Sequence, residues 1–342
     1  MSEQTSTAVA ADEAERPATR PEPPRDWRRR ILGVSWIWIL LVELVLVVAF
    51  SIMKPGEFAT ADNIRNIFSD ASILLVLGVG MTFVIITAGI DLSVGSVLVF
   101  SGVIAAKAMA DLDVSPVIGL ILALLSGTAW GLFNGVLVAK FNVPALIVTL
   151  GTLGMALGAA QLITSGVDVP GVEGGLINTI GFDRIFGQIP VLVIIALAVA
   201  AGGAIALSMT RFGRYTLAVG SNPEAARRAG INVDRHLIKV YTLMGFLAGL
   251  AGFLNLCRFS STTIAGHSTD NLQAIAAVVL GGTSLFGGLG SVVGTVIGVL
   301  IPVTLNYGFV VLGIQPFWQT IAVGAVLIVA VYFDQLRRRK RQ

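Results

Sequence analysis

From Ile31 onward, long apolar runs alternate with short polar breaks along most of the chain. A helix needs about 20 apolar residues, rising 1.5 Å each, to cross the hydrocarbon of a bilayer. That ruler marks ten candidate spans, at roughly 31–53, 71–90, 94–110, 116–139, 143–164, 189–209, 236–258, 272–288, 289–312 and 316–333. The stretches 71–110 and 272–312 are nearly continuous, so their inner boundaries are soft and the count could be nine or eleven. Backbone polar groups in lipid must be satisfied within the segment, which favours helices. The pattern predicts an all-α membrane protein, a polytopic bundle of about ten transmembrane helices.

Charge gives the expected topology. Arg25, Arg28, Arg29 and Arg30 precede the first run, and Arg337 to Arg341 follow the last. An even number of spans returns the C-terminus to the side of the N-terminus, and arginine-rich flanks belong in the cytoplasm. Both termini are therefore expected to be cytoplasmic. The loop 210–235, with Arg211, Arg214, Arg227, Arg228 and Arg235, then falls inside; the loop 165–188, with Asp168, Glu173 and Asp183 against one arginine, falls outside. The loop around Lys54 and Arg65 is external and mixed in charge. Residues 1–24, rich in Ala, Thr, Glu and Pro, read as a disordered cytoplasmic tail. The membrane domain occupies 25–336, with a cytoplasmic segment at about 211–235, and 337–342 form a basic cytoplasmic tail.

Composition narrows the class. The chain is 55% hydrophobic and 13% charged, against roughly 25% charged in soluble domains. The net charge of +3 sits beside apolar runs, as topology signals do, so no nucleic-acid partner is expected. Cys257 is the single cysteine, and His236 and His267 are the only histidines. No disulfide, metal site or cofactor is expected from that inventory. Catalysis would call for clustered acids, bases or nucleophiles, and none is seen, so the chain does not read as an enzyme.

Short matches hint at a repeat. Asn134 and Pro144 lie ten residues apart, as do Asn306 and Pro316, with Thr149 and Thr320 beyond the prolines. Gly95-Ser96-Val97 and Gly290-Ser291-Val292 form another pair. In the expected topology the asparagine-bearing spans run in opposite directions, as an inverted duplication produces; the matches are short and suggestive only.

The most informative polar segment runs from Gly213-Arg214-Tyr215 through Gly220-Ser221-Asn222-Pro223-Glu224-Ala225-Ala226-Arg227-Arg228-Ala229-Gly230-Ile231. It predicts a short amphipathic helix. Ser221 or Asn222 can cap it, Pro223 suits the first turn, Glu224 complements the positive helix end, and Gly230 can stop it in the left-handed conformation. Two roles fit equally: a knob for docking a soluble partner, or an interfacial helix with its arginines on lipid headgroups.

Glu224-Ala225-Ala226 followed by Gly230 resembles the EAA---G element of ABC importer permeases, which docks the ATPase. Gly89 to Ser96 (GIDLSVGS), Asn134-Gly135, Pro144 to Gly151 (PALIVTLG) and Ala274 to Gly290 (AIAAVVLGGTSLFGGLG) resemble ribose-type monosaccharide permeases. These stretches run in family order from about 71 to 333. The resemblance implies a ten-span subunit of the bacterial inner membrane and a homodimeric or heterodimeric permease. It also implies separate ATP-binding subunits and an extracytoplasmic solute-binding protein. It assigns ATPase coupling to Asn222, Pro223, Glu224, Ala225, Ala226, Arg227, Arg228 and Gly230. The segment 260–271 (SSTTIAGHSTDN) departs from the usual Gly-rich, Tyr-containing linker, which leaves the particular solute open. A phosphate loop of the GxxxxGK[ST] type is missing, since none of the five lysines follows a glycine; ATP hydrolysis belongs to another chain.

Polar residues at membrane depth are the remaining candidates. Asp91 lies where two apolar runs meet. It marks either a break between half-helices, fixing N–H groups near Ser93 and Gly95, or a simple capped turn at the cytoplasmic surface. Glu43, in the first span, lacks a nearby basic partner: it is protonated or faces another subunit. Asn134, Thr149, Thr152, Gln161, Asn255, Gln273 and Asn306 are neutral groups of the kind a polyol needs, although interhelical bonding explains most of them equally well. Asp91, Ser93, Gly95, Asn134, Thr149, Thr152 and Asn306 are the pathway or helix-break candidates. Gly127, Gly131 and Gly135, and Gly290, Gly294 and Gly298, recur every four residues and predict close helix packing. The competing function is an ion-coupled secondary transporter, which would need more buried ionisable groups than Asp91 and Glu43.

Overall fold

The computed structural model describes residues 35–170 and 173–315, with helical positions such as Phe317, Trp318, Ile321 and Ile328 in the stretch up to 335. The tail 1–24, the arginines at 25–30, Pro316, Thr320 and the basic tail 337–342 lie outside the described residues. The described chain is mostly helical. In order come α1 (Ser35–Met53), α2 (Ala61–Ile86), α3 (Val94–Leu112), α4 (Pro116–Ala139), α5 (Ala145–Thr164) and α6 (Gly175–Phe182). A two-residue hairpin, β1 (Arg184–Ile185) and β2 (Ile189–Pro190), leads into α7 (Val191–Met209), α8 (Arg211–Ser221) and α9 (Pro223–Arg228). The chain continues with α10 (Val233–Phe259), α11 (Asp270–Leu280), α12 (Val292–Gly298) and α13 (Leu300–Val311).

Among the described residues seven stretches are long and apolar enough to cross a membrane: α2, α3, α4, α5, α7, α10 and Val292–Val311, which joins α12 to α13. The expected boundaries shift in four places. The span expected at 71–90 begins at Ala61, because Thr60 accepts the Asn63 N–H and Arg65 pairs with Asp62 at 2.7 Å. Those polar residues hid its first turns. The expected span 272–288 is an 11-residue helix, about 16 Å long, that stops at Gly281-Gly282. The loop expected at 165–188 contains helix α6, and the loop expected at 210–235 contains α8 ahead of the short helix predicted there. In α8, Thr210 caps the first turn by accepting from Gly213 N–H, and Gly213, Thr216, Val219 and Gly220 form its buried face.

Helix α10 is the hub, packed on α2, α3 and α4. Small residues make this closeness possible. A Cβ on Gly131 would stand 2.3 Å from the Tyr241 carbonyl oxygen, and one on Gly127 would stand 2.3 Å from that of Gly245. The second glycine series acts alike, because a Cβ on Gly298 would lie 2.1 Å from the Ala277 carbonyl oxygen of α11. Gly127, Gly131 and Gly135 form a packing seam as their spacing predicts; of the second series only Gly294 and Gly298 share a helix face, against α11, because Gly290 precedes α12 and packs on Ile86.

Two helices start inside the bundle. The first turn of α3 lies beside Met244 and Ala248, near the middle of α10, and Gly102 meets Gly252 further along. The irregular stretch 87–93, which opens with a turn at Thr87-Ala88, therefore climbs from the end of α2 to the level of mid-α10 before α3 begins. At the other end of α10, the segment 260–269 returns inward before α11 starts. A Cβ on Gly95 would lie 2.6 Å from the His267 carbonyl oxygen, and Asn271 Nδ2 donates to the Leu92 carbonyl at 3.1 Å. The N-termini of α3 and α11 thus face one another. The unit α2–break–α3 and the unit α10–segment–α11 run in opposite senses, an inverted relation carried by different elements from the sequence pairs Gly95/Gly290 and Asn134/Asn306.

Gly131→Ala is expected to force α4 and α10 apart and to cost about 1–3 kcal/mol, read as a lower melting temperature of the protein in detergent. Gly154→Ala, where an added Cβ meets nothing within 4 Å, should melt with the unmodified protein.

Candidate functional site

The polar segment between α7 and α10 forms a supported protrusion. Asn222 accepts the Ala225 N–H at 3.0 Å, so Asn222 is the cap and Pro223 opens α9. Gly230 ends the turn with φ +84, a conformation that suits glycine. Ala226 is buried against Val219 and Val233, while Asn222, Pro223, Glu224, Ala225, Arg227, Arg228 and Gly230 are exposed. Glu224 and Arg228 stand 3.9 Å apart in water, a pair that contributes little to stability. Arg227 reaches Asp234 of α10 at 2.7 Å, and Thr216 of α8 meets the buried His236 Nε2 at 3.0 Å. The protrusion is therefore tied to α10 on two sides.

It is also tied to both interrupted units. A Cβ on Gly220 would lie 1.7 Å from the Ile86 carbonyl oxygen, at the end of α2. That oxygen accepts the Gly288 N–H at 2.8 Å, and Gly288 lies against Ser221. The last turn of α8 thus seats on the end of α2 and on the loop 281–291 together.

The break 87–93 gathers several of the candidates. Asp91, 2% exposed, accepts from the Ser93 N–H at 2.9 Å and from Ser93 Oγ at 2.6 Å. Asn134 Nδ2 donates to Ser93 Oγ at 2.9 Å, and Thr149 Oγ1 approaches the Ile90 carbonyl at 3.4 Å. Tyr241 and Asn271, which sequence reasoning had not singled out, serve the carbonyls of Ile90 and Leu92. Asp91 is buried at the start of α3 rather than capping a wet turn. The space around Asp91, Ser93 and Asn134 has no room for a water molecule, so these groups hold the break and line no opening. Thr152 bonds back to the Val148 carbonyl within α5. Glu43, given no partner by sequence, accepts from Thr304 Oγ1 at 2.6 Å.

Open space lies where α3 and α11 meet. A cavity of about 340 Å³ is bounded by Gly95, Ser96 and Val99 of α3, Leu157 and Gln161 of α5, Gly166, Asp168 and the segment 264–268. A second, of about 210 Å³, lies beyond His267 and takes in Asp70, Asn255, Gln273, Asn306 and Tyr307. Their shared wall is pinned by side chains. Asp168 accepts from Thr262 Oγ1 at 2.9 Å and the Ile264 N–H at 2.8 Å. His267 joins Thr263 at 2.7 Å to Asp270 at 2.6 Å. Burial pushes the His267 imidazole down, but the carboxylates of Asp270 and Asp168 outweigh it and hold its pKa above the ordinary value. Of the polar and glycine residues singled out in the sequence, Gly95 and Gln161 line the larger cavity and Asn255, Gln273 and Asn306 the smaller. The pinning set of Asp168, Thr262, Thr263 and Asp270 was not foreseen, because nothing in its spacing joins 168 to 262–270.

A helical membrane bundle with two opposed interrupted units and a capped polar protrusion is built as a solute transporter. Its family follows from comparison: the model of the family described as "Branched-chain amino acid transport system / permease component" matches residues 63–331, and the chain belongs to that family. It is 40% identical over 316 residues to the ribose import permease protein RbsC of Escherichia coli (strain K12), covering 91% of this chain and 98% of that protein. It is 34% identical over 311 residues to the fructose import permease protein FrcC of Rhizobium meliloti, covering 88% and 85%. It is also 32% identical over 326 residues to the galactose/methyl galactoside import permease protein MglC of Escherichia coli (strain K12), covering 89% and 95%. No solved structure matches the chain. The ribose-type ABC permease resemblance carried by the motifs extends over most of the chain.

Asp91→Ala leaves two buried donors of Ser93 without their acceptor, at about 1–3 kcal/mol each; the melting temperature should fall, and Asp91→Asn, which keeps one acceptor oxygen, should fall less. His267 gives a pH signature. A cation whose folded pKa is raised contributes stability fully below its unfolded pKa, near 6.5 for histidine, and loses it as pH rises through the folded value. The melting temperature should therefore fall as pH rises above about 6.5, and His267→Gln should flatten that slope.

Proposed function

We propose that the chain is the membrane subunit of an ATP-driven importer of a monosaccharide or related polyol. Two copies, or this chain and a similar one, enclose the pathway. Separate ATP-binding subunits bind at α9, and an extracytoplasmic binding protein delivers the solute to the opposite face. The assembly sits in a bacterial inner membrane as a multi-pass protein. A ten-span topology, as the family resemblance implies, has an even number of crossings and puts both termini and α9 on the cytoplasmic side.

The observation that carries this reading is the protrusion 222–230. An interfacial helix lying on lipid needs a broad outward apolar face, whereas α9 turns Ala226 inward and its exposed residues are Pro223, Glu224, Ala225, Arg227 and Arg228, which form no such face. The seating of Gly220 and Ser221, the last residues of α8 just before the protrusion, on Ile86 and Gly288 gives a force applied at α9 a short route into both interrupted units. The relatives named as ribose, fructose and galactose import permeases support a sugar as solute over the amino acid of the family description. The cavities agree: an amino acid needs spare charged partners, and Asp70 and Asp270 are committed to Arg258 and His267. No observation favours gradient-driven transport.

Replacing Glu224 and Gly230 together by alanine should lower ATP-dependent uptake by about tenfold or more, equivalent to at least ~1.4 kcal/mol of lost coupling. The subunit should stay in the membrane and ATP hydrolysis should continue. Uptake at the unmodified rate in that double variant would remove the docking role.

A further inference from the structure

The larger cavity carries chemistry that the break and the protrusion leave unused. It lies between the first turn of α3, the far half of α5 and the segment 264–268. Asn255, near the end of α10, is on the far side of its wall; from Val233, beside α9, to Asn255 is about 33 Å along the helix. The cavity therefore lies on the half of the bundle away from the protrusion, the side from which an importer receives its solute.

Its charged groups are already engaged. Asp168 accepts from Thr262 and the Ile264 N–H, and His267 is held between Thr263 and Asp270. What remains is neutral: among the described residues, the side chains of Ser96, Gln161 and Ser268 line the cavity with no hydrogen bond of their own. Ser96 is only 8% exposed. Its hydroxyl opens to the cavity, where a solute hydroxyl would partner it. About 340 Å³ falls at the lower end of the roughly 300–1,000 Å³ typical of small-molecule sites. Leu157 and Val99 supply an apolar wall for the C–H face of a ring. Two hydroxyls and an amide, beside that wall and without spare charge, suit a neutral polyhydroxyl solute and suit an ion poorly.

We infer that this cavity is a sugar-hydroxyl contact site on the pathway, with Ser96, Gln161 and Ser268 as its hydrogen-bonding groups and the pinned segment 264–268 as its inner wall. The inference rests on the import reading above and adds the residues that touch the solute.

The test uses the complete transporter in proteoliposomes, this chain with its ATP-binding subunits and binding protein. D-ribose is the first probe, followed by D-fructose, D-galactose and D-allose. Gln161 is exposed and unpaired, so Gln161→Leu should fold normally. Its maximal uptake rate should fall about tenfold, as should that of Ser268→Ala to a lesser degree, and Gln161→Asn should recover part of the loss. The half-saturating concentration of loaded binding protein and the melting temperature should stay at the unmodified values. A maximal rate within about twofold of the unmodified transporter would overturn the site. So would a loss matched by a lower melting temperature, which would make these residues structural. An unmodified transporter that moves none of the four sugars with ATP would overturn the import reading itself, and the site with it.

Discussion

An interrupted helix in lipid is tolerated only where its freed backbone groups find partners in the protein. That constraint organises this molecule at two places. In the stretch 87–93, the carbonyls of Ile90 and Leu92 are served by Thr149, Tyr241 and Asn271, from three different helices, and Asp91 takes the Ser93 N–H. In the segment 260–269, Thr262 and Ile264 are held by Asp168, and Thr263 by Asn255 and His267. Asp91, Ser93, Asn134, Thr149, Asn255, Thr262 and Asn271 are all buried and all serve these two breaks.

Close helix contact follows from the same demand. Side chains as short as Asn134 and Thr149 reach the break only if their helices stand near it, and the glycine seam at 127, 131 and 135 brings α4 onto α10 at backbone distance. The seam between α11 and α12 does the same for the loop 281–291, which in turn meets Ile86. Packing and polar satisfaction are thus one arrangement: a methyl group added to a seam would move the hydrogen-bond partners as well as the helices.

Sequence showed the class, the packing seams and the protrusion, because each has a local signature. Apolar length marks spans, four-residue glycine spacing marks a helix face, and the run from Asn222 to Gly230 carries a cap, a first-turn proline and a stop. The breaks were legible only in part. Asp91 announced the first by its charge, yet its partners Tyr241 and Asn271 lie far off in the chain and sit in ordinary helical surroundings. The helix after the second break passes for a full span because Ala274 to Leu280 runs smoothly into the apolar loop beyond it. Hydropathy records polarity and not chain direction, so an 11-residue half-helix followed by a glycine turn looks like a longer crossing. The cavities depend on contacts between residue 168 and residues 262–268, which no local pattern contains.

The way α8 ends bears on how such a bundle would work as an importer. If α9 is the docking element, a push on it reaches Gly220 within one helical turn, and Gly220 touches the carbonyl of Ile86 that also receives Gly288. Ile86 leads through the break to α3; Gly288 leads through its loop to α11. The two half-helices whose N-termini meet beside the cavities are therefore the far ends of two levers with one shared seat. Moving them independently would break the Gly288–Ile86 hydrogen bond, whereas moving them together preserves it. A single contact thus couples both halves of the inverted pair, so that the wall at 264–268 and the first turn of α3 would shift in step as the pathway changes the side to which it opens.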